Sequence, residues 1–72
     1  MDLKESIGIQ LNGEPRRVSA GTTIAGMLGE LGLDPRKVAV ERNREIVPRG
    51  TFDEVQVSEG DAYEIVHFVG GG

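Results

Sequence analysis

The residues best placed to do chemistry stand together at one end of the sequence, Tyr63-Glu64-Ile65-Val66-His67-Phe68-Val69-Gly70-Gly71-Gly72. A β-prone run leads there into three glycines. Glycine has no Cβ, so such a tail is narrow, rotates freely and cannot pack on its own domain. Three residues at ~3.3–3.6 Å each reach roughly 10 Å. The expectation is that Gly70 and Gly71 carry the terminal carboxylate of Gly72 down a slot too tight for any side chain. A frayed end is the plain alternative, since chain termini are often poorly ordered. The remaining residues have to decide between the two.

Composition narrows the choice. Seventy-two residues make one small domain, with a thin core and no room for a deep pocket walled on all sides. The expected organisation is a single domain over 1–72, with a polar arm at 1–6 and a glycine tail at 70–72. The net charge of −4 opposes binding to a phosphate backbone, which depends on neutralising cations. The basic residues Arg16-Arg17, Arg36-Lys37, Arg42 and Arg44 are short, scattered groups, better read as a solvated surface than as a nucleic-acid patch. No apolar run approaches the ~20 residues of a membrane span, and Met1 to Ser6 lack the apolar stretch of a signal peptide. A cytoplasmic protein without membrane contact is expected.

Cysteine is absent and His67 is the single histidine. That excludes a disulfide, a cysteine nucleophile, an iron–sulfur cluster, a thiolate zinc site and a side-chain persulfide. His67 has no partners with which to build a metal site, and it reads as a strand residue at the sheet surface or rim. No constellation of acid, base and nucleophile emerges. The chain is therefore expected to have no catalytic residues, bound metal or bound cofactor of its own.

The elements that must position the tail follow from periodicity. Ile7, Ile9 and Leu11 alternate with Gly8, Gln10 and Asn12, the period of a half-buried strand. Asn12-Gly13 then signals a hairpin. Pro15 suits the start or edge of the return strand, which turns Val18 inward. Ser19 to Thr23 offers hydroxyl caps. Ile24, Leu28 and Leu31, with Met27 beside them, make one helical face, and Gly32 is a left-handed stop. Gly26 and Gly29 each cost this helix about 0.8–1.0 kcal/mol relative to Ala.

Beyond the turn at Leu33-Asp34-Pro35, Val38 and Val40 mark a strand, Asn43 a left-handed turn, and Glu45-Ile46-Val47 a short return closed by Pro48. Arg49 to Phe52 reads as irregular, with Phe52 and Val55 plugging one end of the core. Val55 and Val57 are assigned a brief edge pairing. Glu59-Gly60-Asp61 turns into the last strand. A helix across one face of a small mixed sheet is the economical solution. With the last strand parallel to the first, the fold is α+β, a β-grasp of four to five strands.

In that last strand Tyr63 and Ile65 should face the helix, leaving Glu64, Val66 and Phe68 on the open face. Exposed apolar side chains beside a tail form a docking patch for a partner. Phe68 folded back over the sheet rim as satellite core is the other reading.

Several stretches together resemble the thiamine-pathway sulfur carriers, the ThiS family. They are Val38-Ala39-Val40-Glu41, Asn43, Glu45-Ile46-Val47-Pro48-Arg49, Gly60-Asp61, and the ending Glu64 to Gly72. Ile9 to Glu14 and the helix start at Gly21-Thr22-Thr23-Ile24 fit as well, so the likeness runs from about Ile7 to Gly72. Phe52 stands where that family often has tryptophan and Arg44 where a turn glycine is common, which bears on packing and turn geometry. The residues before Ile7 have no clear counterpart.

The resemblance implies a cycle performed by partners. A ubiquitin-activating-type enzyme uses ATP to adenylate the Gly72 carboxylate. A sulfur donor, ultimately a cysteine desulfurase, converts the adenylate to a thiocarboxylate, and thiazole synthase takes the sulfur into the thiazole ring of thiamine. The carrier itself would be a ubiquitin-like monomer. The same ending also suits a carrier for molybdopterin synthesis or tRNA thiolation, although molybdopterin carriers typically reach their glycines through a proline-containing segment that Val66 to Val69 lack. It suits a ubiquitin-like protein modifier as well.

Overall fold

A computed structural model describes residues 5–68. The chain runs through strand β1 (Ser6–Leu11), strand β2 (Glu14–Ser19), helix α1 (Ile24–Glu30), strand β3 (Val38–Arg42), strand β4 (Glu45–Ile46) and strand β5 (Ala62–His67). β1 and β2 pair antiparallel from Ser6↔Ser19 to Leu11↔Glu14. Asn12 and Gly13 take φ values of 50° and 85°, the doubly positive pair that a two-residue hairpin needs to match strand twist. β1 begins at Ser6, and the Glu5 carbonyl already accepts from the Ala20 N–H at 3.0 Å. Glu5 and Ser6, assigned to the polar arm, thus pair with the sheet, and residues 1–4 of that assignment lie outside the described range.

β5 lies in the middle of the sheet, whose order is β2-β1-β5-β3-β4. It is parallel to β1 through Gln10↔Ala62 and Leu11↔Tyr63, and antiparallel to β3 from Val38↔His67 to Arg42↔Tyr63. This is the mixed β-grasp sheet expected of four to five strands, with five present. Ile24, Met27 and Leu28 of α1 are fully buried against sheet residues that include Ile9, Val40, Tyr63 and Ile65. A seven-residue helix would not persist in water alone, so this contact holds it. No helix among the described residues is long and apolar enough to cross a membrane.

Both ends of α1 are closed by hydrogen bonds. At the far end the Gly32 N–H reaches the Gly29 carbonyl at 3.1 Å, and the Leu33 N–H reaches that of Leu28 at 2.9 Å. These are the two bonds of a Schellman closure, with Gly32 at φ 77°. At the start, Thr23 Oγ1 accepts from the Gly26 N–H at 3.1 Å. The other two first-turn donors, Ile24 and Ala25, go to the carbonyls of Val55 and Phe52, each at 2.9 Å.

The brief pairing expected of Val55 and Val57 is made here, with the helix start: the Val55 carbonyl accepts from Ile24 and the Val57 N–H donates to the Thr22 carbonyl at 2.9 Å. Their segment forms an isolated bridge between Gln56 and Thr23, because the orphan N–H groups of a helix start need acceptors and this loop supplies them. The stretch read as irregular contains a 3-10 turn, Arg49–Thr51. A second 3-10 turn, Pro35–Lys37, precedes β3, with Asp34 capping it through the Arg36 N–H.

Candidate functional site: the open face and outlet of β5

Alternation along β5 sorts its side chains. Tyr63 and Ile65 are buried against α1, at 1% and 7% exposure, whereas Val66 is 62% and Phe68 49% exposed. Glu64 is exposed on the same outward side. The register with β3 sets Val66 beside Ala39 and Glu64 opposite Glu41. Continuing across β4, Glu41 pairs with Ile46, which is 76% exposed. The open face thus carries two apolar side chains, Val66 and Ile46, around two carboxylates.

Ile46, expected only as part of a short return strand, joins this face. The signal was available: with Val38 and Val40 inward, Glu41 faces out, and a two-residue turn after Arg42 forces its partner at 46 to do the same.

Phe68 combines features of both expected placements. Its N–H continues the ladder to the Lys37 carbonyl at 2.9 Å, and the Arg49 guanidinium lies over its ring at 5.6 Å from the centroid. Arg49 is itself held by its Nε to the Pro35 carbonyl (3.0 Å) and by Nη2 to the Val38 carbonyl (2.9 Å). The ring borders a shallow groove of about 210 Å³ whose walls include Ala39, Ile46, Pro48 and Phe52. It is therefore half-covered at the rim and half-open to solvent.

On the other side of β5, Asn12 extends the sheet by one rung. Its Oδ1 accepts from the Ile65 N–H at 2.9 Å, and its Nδ2 donates to the Ile65 carbonyl at 3.3 Å. β1 has already turned away there, so a carboxamide stands in for backbone. His67 is exposed and borders a groove of about 170 Å³ with Leu11, Leu31 and Leu33. Among the described residues no group of three His, Asp or Glu side chains gathers to hold a metal.

The start of β5 is fixed by Asp61, expected only as part of the turn into that strand and of the stretches that carry the resemblance. Asp61 is buried, at 6% exposure. Its carboxylate accepts from the Arg42 Nε and the Ser58 N–H, each at 2.9 Å, the Tyr63 hydroxyl at 3.0 Å and the Asn43 Nδ2 at 3.2 Å. Burial by itself would raise this carboxyl, but those donors outweigh it and hold the pKa below the usual 3.8. Burial, and then the bond to Asp61, push the Tyr63 phenol well above its ordinary range. One charge ties the β3–β4 turn to the head of β5.

Gly70, Gly71 and Gly72, the residues expected to carry the chemistry, lie outside the described range. What the geometry supplies is their approach: a central strand held on both sides, with an apolar and acidic outer face.

Comparison with known proteins bears on what that approach serves. The model of the ThiS family matches residues 9–72. The sulfur carrier protein ThiS of Bacillus subtilis is 43% identical over 65 residues, covering 89% of this chain and 98% of that one. A thiazole synthase of Magnetococcus marinus is 56% identical over 64 residues, which is 89% of this chain. This chain spans only 20% of that enzyme's length. The crystal structure of a thiamine biosynthesis protein (ThiS) from Geobacter metallireducens superposes with a TM-score of 0.79 at 33% identity, over 92% of this chain and 100% of that one. With the family model matched from β1 through the final glycine, the chain belongs to the ThiS family.

Proposed function

We propose that the domain is a sulfur carrier for thiazole formation in thiamine biosynthesis, with the Gly72 carboxylate as the site of loading. The observation that carries this reading is the family match running through residue 72, on a fold whose central strand is the last element before the glycines in the sequence. The likeness to the Bacillus sulfur carrier over almost its full length supports it. The likeness to a thiazole synthase supports that enzyme class as the acceptor.

The steps belong to partners. A carboxylate is a poor electrophile, so an adenylating enzyme of the ubiquitin-activating type first lets a Gly72 oxygen attack the α-phosphorus of ATP and expels pyrophosphate. A sulfur nucleophile, supplied ultimately by a cysteine desulfurase, then displaces AMP from the acyl carbon. Glycine leaves that carbon unhindered. The domain contributes the grip: ordering three tail residues costs on the order of 3–6 kcal/mol, and contacts at Val66, Phe68 and Glu64, with Ile46, offset it. The chain works as a cytoplasmic monomer, and ATP is bound by the partner.

Intact-mass spectrometry tests this directly. The chain, incubated with activating enzyme, ATP and sulfur donor, is expected to exchange one terminal oxygen for sulfur, and a version extended by several residues after Gly72 is expected to stay unchanged. Equal sulfur incorporation in the extended version would overturn the assignment of Gly72.

A further inference from the structure

We infer that Arg49 is a positioning residue, which holds the Phe68 ring at the outlet of β5 and so shapes the surface an activating partner grips. The inference rests on the carrier reading above and assigns a role to a residue outside the docking set.

Three contacts fix the guanidinium. Nε and Nη2 bond the carbonyls of Pro35 and Val38, the first residue of the 3-10 turn and the first residue of β3. The third contact is the ring face of Phe68, 5.6 Å away. A planar fork bonded along one edge leaves its flat face free to lie on a ring, a geometry that lysine cannot reproduce. Phe68 in turn sends its N–H to the carbonyl of Lys37, the last residue of that turn. Ring and guanidinium are thus anchored to the same short stretch of backbone, 35–38, from two directions.

A half-exposed phenylalanine past the end of a strand has rotamer freedom that a partner must remove on binding, and a side chain already held in place lowers that cost. Pro48, which precedes the 3-10 turn Arg49–Thr51 at φ −61°, fixes where Arg49 starts. The sequence Val47-Pro48-Arg49 therefore aims a cation across the sheet rim at the residue that introduces the tail.

The test uses the full chain and its activating enzyme in ATP–pyrophosphate exchange, with R49M, R49K, F68A and the double variant R49M/F68A. R49M is expected to raise KM about threefold to tenfold, the range that a cation–ring contact supplies, with kcat unchanged. R49K should recover only part of the loss. The double variant should match F68A alone, because Arg49 acts through the ring. An unchanged KM in R49M, or a loss undiminished in the F68A background, would overturn the inference.

NMR gives an arm independent of the enzyme: a protected Arg49 Nε–H and ring-shifted Arg49 side-chain protons are expected, with Phe68 side-chain order falling in R49M. If the unaltered chain supported no exchange, the carrier reading would fail, and this arm alone would judge Arg49. A solvent-averaged guanidinium, or a Phe68 ring no looser in R49M, would then overturn the inference.

Discussion

Asp61 shows how much of this small fold can depend on one carboxylate. Its four donors come from β3, the β3–β4 turn, the 58–61 turn and β5, so losing the charge loosens all four at once. Hydrogen bonds to a charged group contribute about 1.5–3 kcal/mol. Asp61→Asn is expected to lower stability by about that much at neutral pH, read as a fall in denaturation midpoint. The direction with pH follows from the depressed pKa. A carboxyl that is more acidic in the fold than in the unfolded chain adds stability above its unfolded value, near 3.8, and that contribution is lost as pH falls through the lower folded value. The gap between wild type and Asp61→Asn should be constant above about pH 5 and narrow in stronger acid. A gap that stayed constant down to the acid limit would show that the charge is not what matters there. Arg44 presents an opposite case: its φ of 73° costs a side chain about 1–2 kcal/mol, a strain that its turn carries without glycine.

At the level of elements, α1 separates two glycines that look alike in sequence. A methyl group at Gly29 would meet nothing, whereas one at Gly26 would collide with the Thr22 hydroxyl. Gly29→Ala is therefore expected to gain about 0.8–1.0 kcal/mol, raising the thermal midpoint by roughly 4–8 °C for a domain of this size. Gly26→Ala should gain less, because Thr22 must turn away. Equal gains by calorimetry would refute the distinction. Local pattern made most of the architecture legible: the alternation of Ile7, Ile9 and Leu11, the Asn12-Gly13 turn, the face of Ile24, Met27 and Leu28, and the outward Glu64, Val66 and Phe68 all follow from period and turn chemistry. What stayed hidden depends on long-range partners. The loop at 52–57 caps a helix start some thirty residues earlier in the chain. Asp61, in a Glu-Gly-Asp turn, looks solvated until its donors are assembled around it, and Ile46 shows its face only once the β3–β4 register is drawn.

For the molecule as a whole, the outer face of β5 is the surface to challenge. Val66→Lys changes an exposed position, so stability should move by no more than about 0.5 kcal/mol. Introducing a charge at the centre of a docking patch should nevertheless raise KM in the exchange assay by about tenfold or more. A charge change at Glu54, exposed in the loop that caps α1, should leave KM alone. Equal responses at the two positions would mean that partners do not read this face. The place of β5 between β1 and β3 has one more effect, felt during synthesis on the ribosome. The segment translated last among those in the sheet is the one that joins the two earlier hairpins, so a nascent chain that has not yet released Ala62–His67 holds two unconnected halves. Completion of the sheet therefore waits on Ala62–His67, and until that strand is made the open face of Glu64 and Val66 does not exist for any partner to read.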